Sequence, residues 1–119
     1  MCDLPAVTRE HAPPLCFFPE QKDLPGAGDL RRNLITVPSC DGHNSALAKD
    51  DEYAMVVVAS HIGNNGIATS HFGTKVHRAL TRSPVFTSIV FATTQPVMIN
   101  GLRTVAFEVD SPRFERVMA

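Results

Sequence analysis

The sequence has few features of a membrane, secreted or disulfide-stabilised protein. Its longest apolar run covers residues 54–59, whereas a transmembrane helix requires about 20 apolar residues. The first four residues lack the charged and then apolar character of a signal peptide. An odd number of cysteines (Cys2, Cys16 and Cys40) argues against a disulfide framework and favours a reducing compartment. We therefore expect a cytoplasmic protein that does not contact a membrane, and the sequence does not indicate its oligomeric state.

A strong charge of one sign is also missing. The chain has 119 residues, a net charge of -1 and 44% hydrophobic residues, which suits one folded domain rather than a disordered chain. The charge is uneven, because residues 1–60 hold five basic and nine acidic residues and residues 61–119 hold six and three. The overall charge is not that of a nucleic-acid-binding protein. An acidic half could nevertheless hold a cation, and a basic half could contact phosphates.

Serine-hydrolase, phosphate-loop and dinucleotide-binding motifs are absent, but the first half contains an ordered set of other reactive groups. An acid–histidine pair comes first, an Asn precedes an apolar run, and a Cys–His pair is followed at once by a second Asn. The residues are Glu10, His11, Asn33, Cys40, His43 and Asn44. A histidine beside a carboxylate can act as a general base near a metal, and Cys and His are zinc ligands.

This ordered set resembles the HNH endonuclease family, the ββα-metal nucleases. The resemblance covers about the first 55 residues. Residues 8–14 (TREHAPP) and the acidic run at residues 50–53 (DDEY) look like one bacterial branch of that family. Each dipeptide alone is weak evidence, whereas the order and spacing together are fairly specific.

The resemblance implies a role for each residue. His11 is expected to be the general base, with Glu10 and Asn44 as oxygen ligands of Mg²⁺ or another divalent cation. Asn33 is expected to orient His11, although an ordinary turn Asn is an equally good interpretation of that residue alone. Asn44 is also a good helix N-cap, and capping and metal binding can coexist.

Zinc is the second metal that the resemblance implies. Cys40 and His43 match the second ligand pair of the family's zinc knuckle, and Cys2 matches half of the first pair. The missing partner would precede Met1, so we expect the chain to be truncated and the structural Zn²⁺ site to be incomplete. Cys16 could supply another ligand, but its apolar neighbours favour simple packing.

The pattern of turns and apolar residues predicts an α+β fold, in which a ββα finger (1–62) is followed by an extension (63–119) that packs on it as one structural domain. Strands are predicted at residues 6–12 and 34–37, with a loop at 15–32 between them. Helices are predicted from residue 44 or 45 to about 62, from 69 or 70 to 82, from 83 to about 94 with Ser83 as its cap, and from 111 onward. A hairpin is predicted at 97–109, with Asn100 and Gly101 at its turn. The predicted core stripe of the first helix is Leu47, Ala54, Val57, Val58 and Ile62.

Four basic residues are candidate phosphate contacts: Arg31, Arg32, Lys75 and Arg78. The last two lie on a predicted helix face with His71 and Arg82. The more common interpretation of such a face is that it is simply exposed to solvent. His61 and His77 belong to no pattern and are expected at the surface.

These observations favour a metal-dependent HNH-type endonuclease that hydrolyses phosphodiester bonds in DNA. The alternative is a zinc-knuckle binding module that has no catalytic activity, or the remnant of a truncated nuclease. The acid, histidine and two asparagines favour the first, whereas the incomplete zinc pair and the low net charge favour the second.

Overall fold

The computed structural model of the protein describes residues 3–26 and 28–118. Over these residues the chain is α+β, as predicted, with five α-helices and two antiparallel strand pairs. The elements are β1 (Thr8–Ala12), β2 (Ile35–Ser39), α1 (Asp41–Ala59), α2 (Gly66–His71), α3 (His77–Arg82), α4 (Pro84–Val90), β3 (Gln95–Ile99), β4 (Leu102–Ala106) and α5 (Ser111–Met118). None of these helices is both long enough and apolar enough to span a bilayer.

The connection from β1 to β2 contains two short 3₁₀ turns, Leu15–Phe17 and Gln21–Asp23, in the segment predicted as a loop. Among the described residues, β1 and β2 pair only with each other. The second strand was predicted to end at residue 37, but β2 continues through Pro38 to Ser39. A strand with one neighbour has a free edge, and proline is tolerated in such edge strands.

Helix α1 begins earlier than predicted. Its N-cap is Cys40, whose Sγ accepts a hydrogen bond from the backbone N–H of His43. The N–H of Asn44 donates to the carbonyl of Cys40 at 3.1 Å, which closes the first turn. Asn44 is therefore inside the helix and does not cap it, so that part of the prediction was wrong. A cysteine is an uncommon N-cap, which is why the asparagine looked like the better start.

The core forms around the second half of α1. Its buried residues are Tyr53, Met55, Val56, Ala59, Val76, Ala79 and Val90, from α1, the α2–α3 segment and α4. Of the predicted stripe on α1, only Ala54 is fully buried, and Val58 is 40% exposed. Val57 packs against the core cluster, but the rest of the stripe was wrong because α2, α5 and the first 3₁₀ turn contact α1 from several directions, which a single amphipathic face does not describe.

The second helix also differs from the prediction. It starts at Gly66, where Asn65 accepts a hydrogen bond from Ala68 N–H, and α2 continues into α3 through a π-helical segment, Phe72–Val76. The wider π turn shifts the helical faces, so that residues spaced by four no longer share one face. His71, predicted on an exposed basic face, is only 3% exposed, and its Nε2 lies 3.0 Å from the Cys16 carbonyl.

Local signals were reliable in the second half of the chain. The hydroxyl of Ser83 accepts from Phe86 N–H and Pro84 follows it at the start of α4, as predicted, although α4 ends at Val90 rather than near residue 94. Asn100 and Gly101 have positive φ angles of 51° and 79° and form the predicted turn between β3 and β4.

Helix α5 docks on α1 through polar contacts. The Tyr53 hydroxyl accepts a hydrogen bond from Asp110 N–H at 2.8 Å, and the Arg113 guanidinium lies 4.7 Å from the centre of the Tyr53 ring. Asp50 accepts hydrogen bonds from Arg113 at 2.7 Å and from Arg116 at 2.9 Å. These contacts hold the last helix beside the middle of α1.

Two matched substitutions test the position of the core. Val56 is 0% exposed on α1, whereas Val85 is 71% exposed on α4. We expect Val56→Ala to lower the free energy of unfolding by about 1.5–3 kcal/mol, because it removes two buried methyl groups and leaves a cavity. Val85→Ala should change it by less than about 0.5 kcal/mol. Urea unfolding measures both, and equal losses would contradict the packing around α1.

Candidate functional site

A groove lies between β1 and the first half of α1, and α5 forms one end of it. Two neighbouring cavities make up the groove, with volumes of about 480 and 300 Å³. Both are lined by Glu10, His11, Pro14 and Asp51. The acid–histidine pair singled out in the sequence therefore lies where the two cavities meet, beside α1.

The smaller cavity brings together residues that are distant in sequence. It is lined by Glu10 and His11 from β1 and by Asn44 and Asp51 from α1. β1 pairs with β2, and β2 is followed after the single residue Cys40 by α1, so the start of the helix returns beneath β1. The predicted base and both predicted metal ligands thus face one space.

Asn33 lies apart from this group. It is exposed, it precedes β2, and its φ of 61° is a left-handed turn conformation that asparagine tolerates well. It lines neither cavity of the groove. Its predicted role in orienting His11 stays a prediction, and its backbone geometry fits the turn interpretation.

Asp51 is the residue of the groove that the motif did not assign. Partial burial, then the negative charges of Glu10 and Asp50, raise the pKa of Asp51 to about 6. The signal that could have identified it is its spacing, since it follows Asn44 by two helical turns and so lies on the same side of α1. A carboxylate kept beside another carboxylate is typical of functional sites, where such perturbation is common.

The oxygen-rich side of the groove suits a hard divalent cation. Glu10 and Asp51 offer carboxylates and Asn44 offers an amide oxygen around one cavity. Within the described residues, however, no group of three or more His, Cys, Asp or Glu side chains could hold a metal ion. Mg²⁺ commonly takes only one or two carboxylates from the protein and completes its shell with water and phosphate, so this donor set fits that ion.

Cys40 and His43, the predicted zinc ligands, contact each other at the start of α1. Their Sγ and Nδ1 atoms are 2.9 Å apart, and Cys40 is buried. Two ligands of one tetrahedral zinc are about 3.5 Å apart, so zinc binding would require a small opening of this pair. Cys2, the third predicted ligand, lies outside the described residues.

Cys16 packs in the way that the sequence favoured. Its thiol donates to the Asp51 carbonyl at 3.5 Å and the side chain contacts the core cluster. Burial, together with the charge of Asp51, raises the pKa of the Cys16 thiol to about 11. A thiol that stays protonated is a poor zinc ligand, because the metal binds the thiolate.

The four basic residues predicted to bind phosphate lie away from the groove. Arg31 donates to the carbonyl of Phe18 at 2.9 and 3.2 Å, and Arg78 forms a two-point ion pair with Asp23 at 2.9 and 2.6 Å. Lys75 is partly buried, which lowers its pKa. Arg32, the fourth of these residues, is exposed.

Comparison of the chain with protein-family models, with curated proteins and with solved structures finds no match. The functional interpretation therefore depends on the residues themselves and on their arrangement.

The pKa of Asp51 leads to a prediction about stability in metal-free buffer. Its folded-state pKa is about 6 against an ordinary 3.8, so folding favours the protonated form. Below pH 4 the Asp51 carboxyl group is protonated in both states and does not change the free energy of unfolding. As the pH rises from 4 to 6, its ionisation destabilises the folded state. Asp51→Asn should therefore increase the free energy of unfolding at pH 7.5 by up to about 1 kcal/mol after allowance for solvent screening.

The measurement is urea unfolding with EDTA at pH 3.5 and 7.5. The stabilisation by Asp51→Asn should disappear at pH 3.5. Asp41→Asn, an exposed change in the first turn of the same helix, should give no gain at either pH. A stability difference at position 51 that does not vary with pH would mean that this carboxylate is not strained by its surroundings.

Proposed function

We propose that the protein is a metal-dependent HNH-type endonuclease that hydrolyses phosphodiester bonds in DNA, working in the cytoplasm. One observation carries the proposal. Glu10, His11 and Asn44 were selected from their order in the sequence, and all three line a single cavity. The β1–β2–α1 topology brings these three positions together, and the residues that occupy them are a base and two oxygen donors, which a metal-assisted hydrolase requires.

The groove supports a simple hydrolytic mechanism. His11 is partly exposed, and a neutral imidazole there can accept a proton from a water molecule. The water oxygen forms a bond to phosphorus, the bond from phosphorus to the 3′ oxygen breaks, and that oxygen takes a proton from solvent. A divalent cation held by Glu10 and Asn44 would supply stabilisation of the negative charge on the leaving oxygen.

Asp51 supports the same proposal as a second carboxylate. Two carboxylates that face each other repel, and a cation between them removes the repulsion. We assign Asp51 to the proposed cation site together with Glu10, either as a direct ligand or through a bound water.

Replacement of His11 tests the nuclease. The protein with Mg²⁺ or Mn²⁺ should nick plasmid DNA, and EDTA should stop the reaction. His11→Ala should lower the cleavage rate by about 10²–10⁴-fold, the usual contribution of general acid–base catalysis. Single-turnover cleavage assays measure this effect.

His77→Ala is the matched control, because His77 is an exposed histidine outside the groove and its loss should leave the rate unchanged. Equal cleavage by the wild type and His11→Ala would exclude His11 as the base and would point to a contaminating nuclease.

The alternative function is a zinc-knuckle binding module without catalysis. The contact between Cys40 and His43 at the start of α1 favours it, since two zinc ligands are already adjacent. A nuclease and a binding module both accommodate that pair, but a nuclease would in addition use His11 and Asn44, which line one cavity. DNA or protein binding without metal-dependent cleavage would favour the module.

Zinc content tests the knuckle. We expect no more than one zinc per chain, and Cys40→Ser should lower both the zinc content and the melting temperature because it removes a thiolate ligand. Cys16→Ser should leave the zinc content unchanged, since that thiol has a raised pKa and packs on the core. Elemental analysis after gel filtration gives the zinc content. An unaltered zinc content in Cys40→Ser would exclude this pair as the site.

A further inference from the structure

The groove has one arginine at each end. Arg9 lines the smaller cavity, beside Glu10 and Asn44, and Arg116 lines the larger one on the wall that α5 provides. Neither was among the phosphate contacts expected from the sequence. Both are exposed, so their guanidinium groups are accessible from solvent.

Arg116 retains unused hydrogen-bonding capacity. Its Nε donates to Asp50 Oδ2 at 2.9 Å, and its Nη1 donates to the Pro112 carbonyl at 3.3 Å. A guanidinium has five N–H donors, so three are left for a ligand. The side chain is 54% exposed, so a ligand in the groove can reach it.

Arg113, one turn earlier on the same helix, has a different environment. Its side chain is only 16% exposed, it contacts Asp50 and the Lys49 carbonyl, and it lies over the Tyr53 ring. Arg113 therefore anchors α5. Asp50 bridges the two arginines, and through that bridge it holds Arg116 at the wall of the groove.

The charges along the groove alternate. Carboxylates of Glu10 and Asp51 lie in the middle, with a cation at each end. A polyanion would be repelled from the centre unless a metal were bound there, and it would be attracted to both ends. That distribution matches a backbone with several phosphates better than a single small anion.

We propose that a DNA strand lies lengthwise in this groove, with Arg9 and Arg116 each holding a backbone phosphate on opposite sides of the scissile bond. The inference deepens the proposed nuclease function and rests on it. It makes α5 part of the substrate-binding surface, and it assigns to Asp50 the positioning of Arg116.

The test uses the full chain carrying His11→Ala, so that DNA is bound without being cut. Fluorescein-labelled single-stranded and duplex oligonucleotides are titrated with Mg²⁺ at several salt concentrations. Loss of one phosphate contact should reduce the slope of log K against log salt by about 0.7–0.9, which corresponds to about 5–8-fold weaker binding near 0.1 M salt. We expect this loss for Arg116→Ala and, separately, for Arg9→Ala.

Two further variants serve as controls. Arg116→Lys keeps the charge and should keep most of the slope. Arg103→Ala removes an exposed arginine of β4 that does not line the groove, and it should leave the slope unchanged. Melting temperatures of all variants show whether α5 stays docked, and binding is compared at a temperature where each variant is folded.

The possible results distinguish failure of the assigned arginine contacts from failure of the proposed nuclease function. An unchanged slope for Arg116→Ala, or an equal loss for Arg103→Ala, would overturn the assigned contact while the nuclease function stands. Loss of the slope in a folded Arg116→Lys would also overturn it, because charge would then not be the cause. Tighter binding of a matched RNA strand would exclude DNA as the occupant. Absence of any nucleic-acid binding would remove the proposed nuclease function together with this contact.

Discussion

The single-residue junction between β2 and α1 determines where most of the other elements lie. β2 ends at Ser39 and α1 begins at Asp41, so Cys40 alone carries the chain from strand to helix. Two hydrogen bonds fix this corner: the hydroxyl of Thr8 donates to the Ser39 carbonyl, and the N–H of His43 donates to the Cys40 sulfur. Since β1 is paired to β2, fixing the corner also fixes the start of α1 relative to β1.

Helix α1 consequently has two separate functions along its length. Its first half supplies Asn44 and Asp51 to the groove, and its second half supplies most of the buried core. Helix α1 therefore connects the candidate site to the core that α1 forms with α2, α3 and α4. Nineteen residues in one helix keep the two regions at a fixed separation, so side chains in the groove are held by core packing at a distance.

The sequence predicted those features that depend on local chemistry. The Asn100–Gly101 turn and the Ser83 cap followed from the conformations that these residues prefer, and both are present. The α+β class followed from the pattern of turns and apolar residues along the chain. The meeting of Glu10, His11 and Asn44 was expected from the ordered motif, and the structure places them around one cavity.

Features that depend on distant contacts were not predictable in this way. The buried face of α1 depends on five neighbouring elements that no periodicity within α1 describes, and His71, expected at the surface, is buried with its Nε2 3.0 Å from the Cys16 carbonyl, 55 residues away in the sequence. The place of Arg116 at the end of the groove depends on where α5 docks. That docking results from Asp50 and Tyr53, whose partners lie near the other end of the chain.

The paired carboxylates provide the best means to distinguish the two proposed functions. A zinc-knuckle module would need the Cys40–His43 corner and a stable helix, but it would gain nothing from a partly buried acid facing another acid. A raised pKa of Asp51 means that its ionised form is disfavoured by folding, and an amide of the same shape would avoid that cost. A carboxylate that destabilises the folded chain is explained if a cation binds there, because the bound cation would reverse the sign of its contribution. Binding of a divalent cation between Glu10 and Asp51 would therefore favour the proposed nuclease over the binding module, and its absence would favour the module.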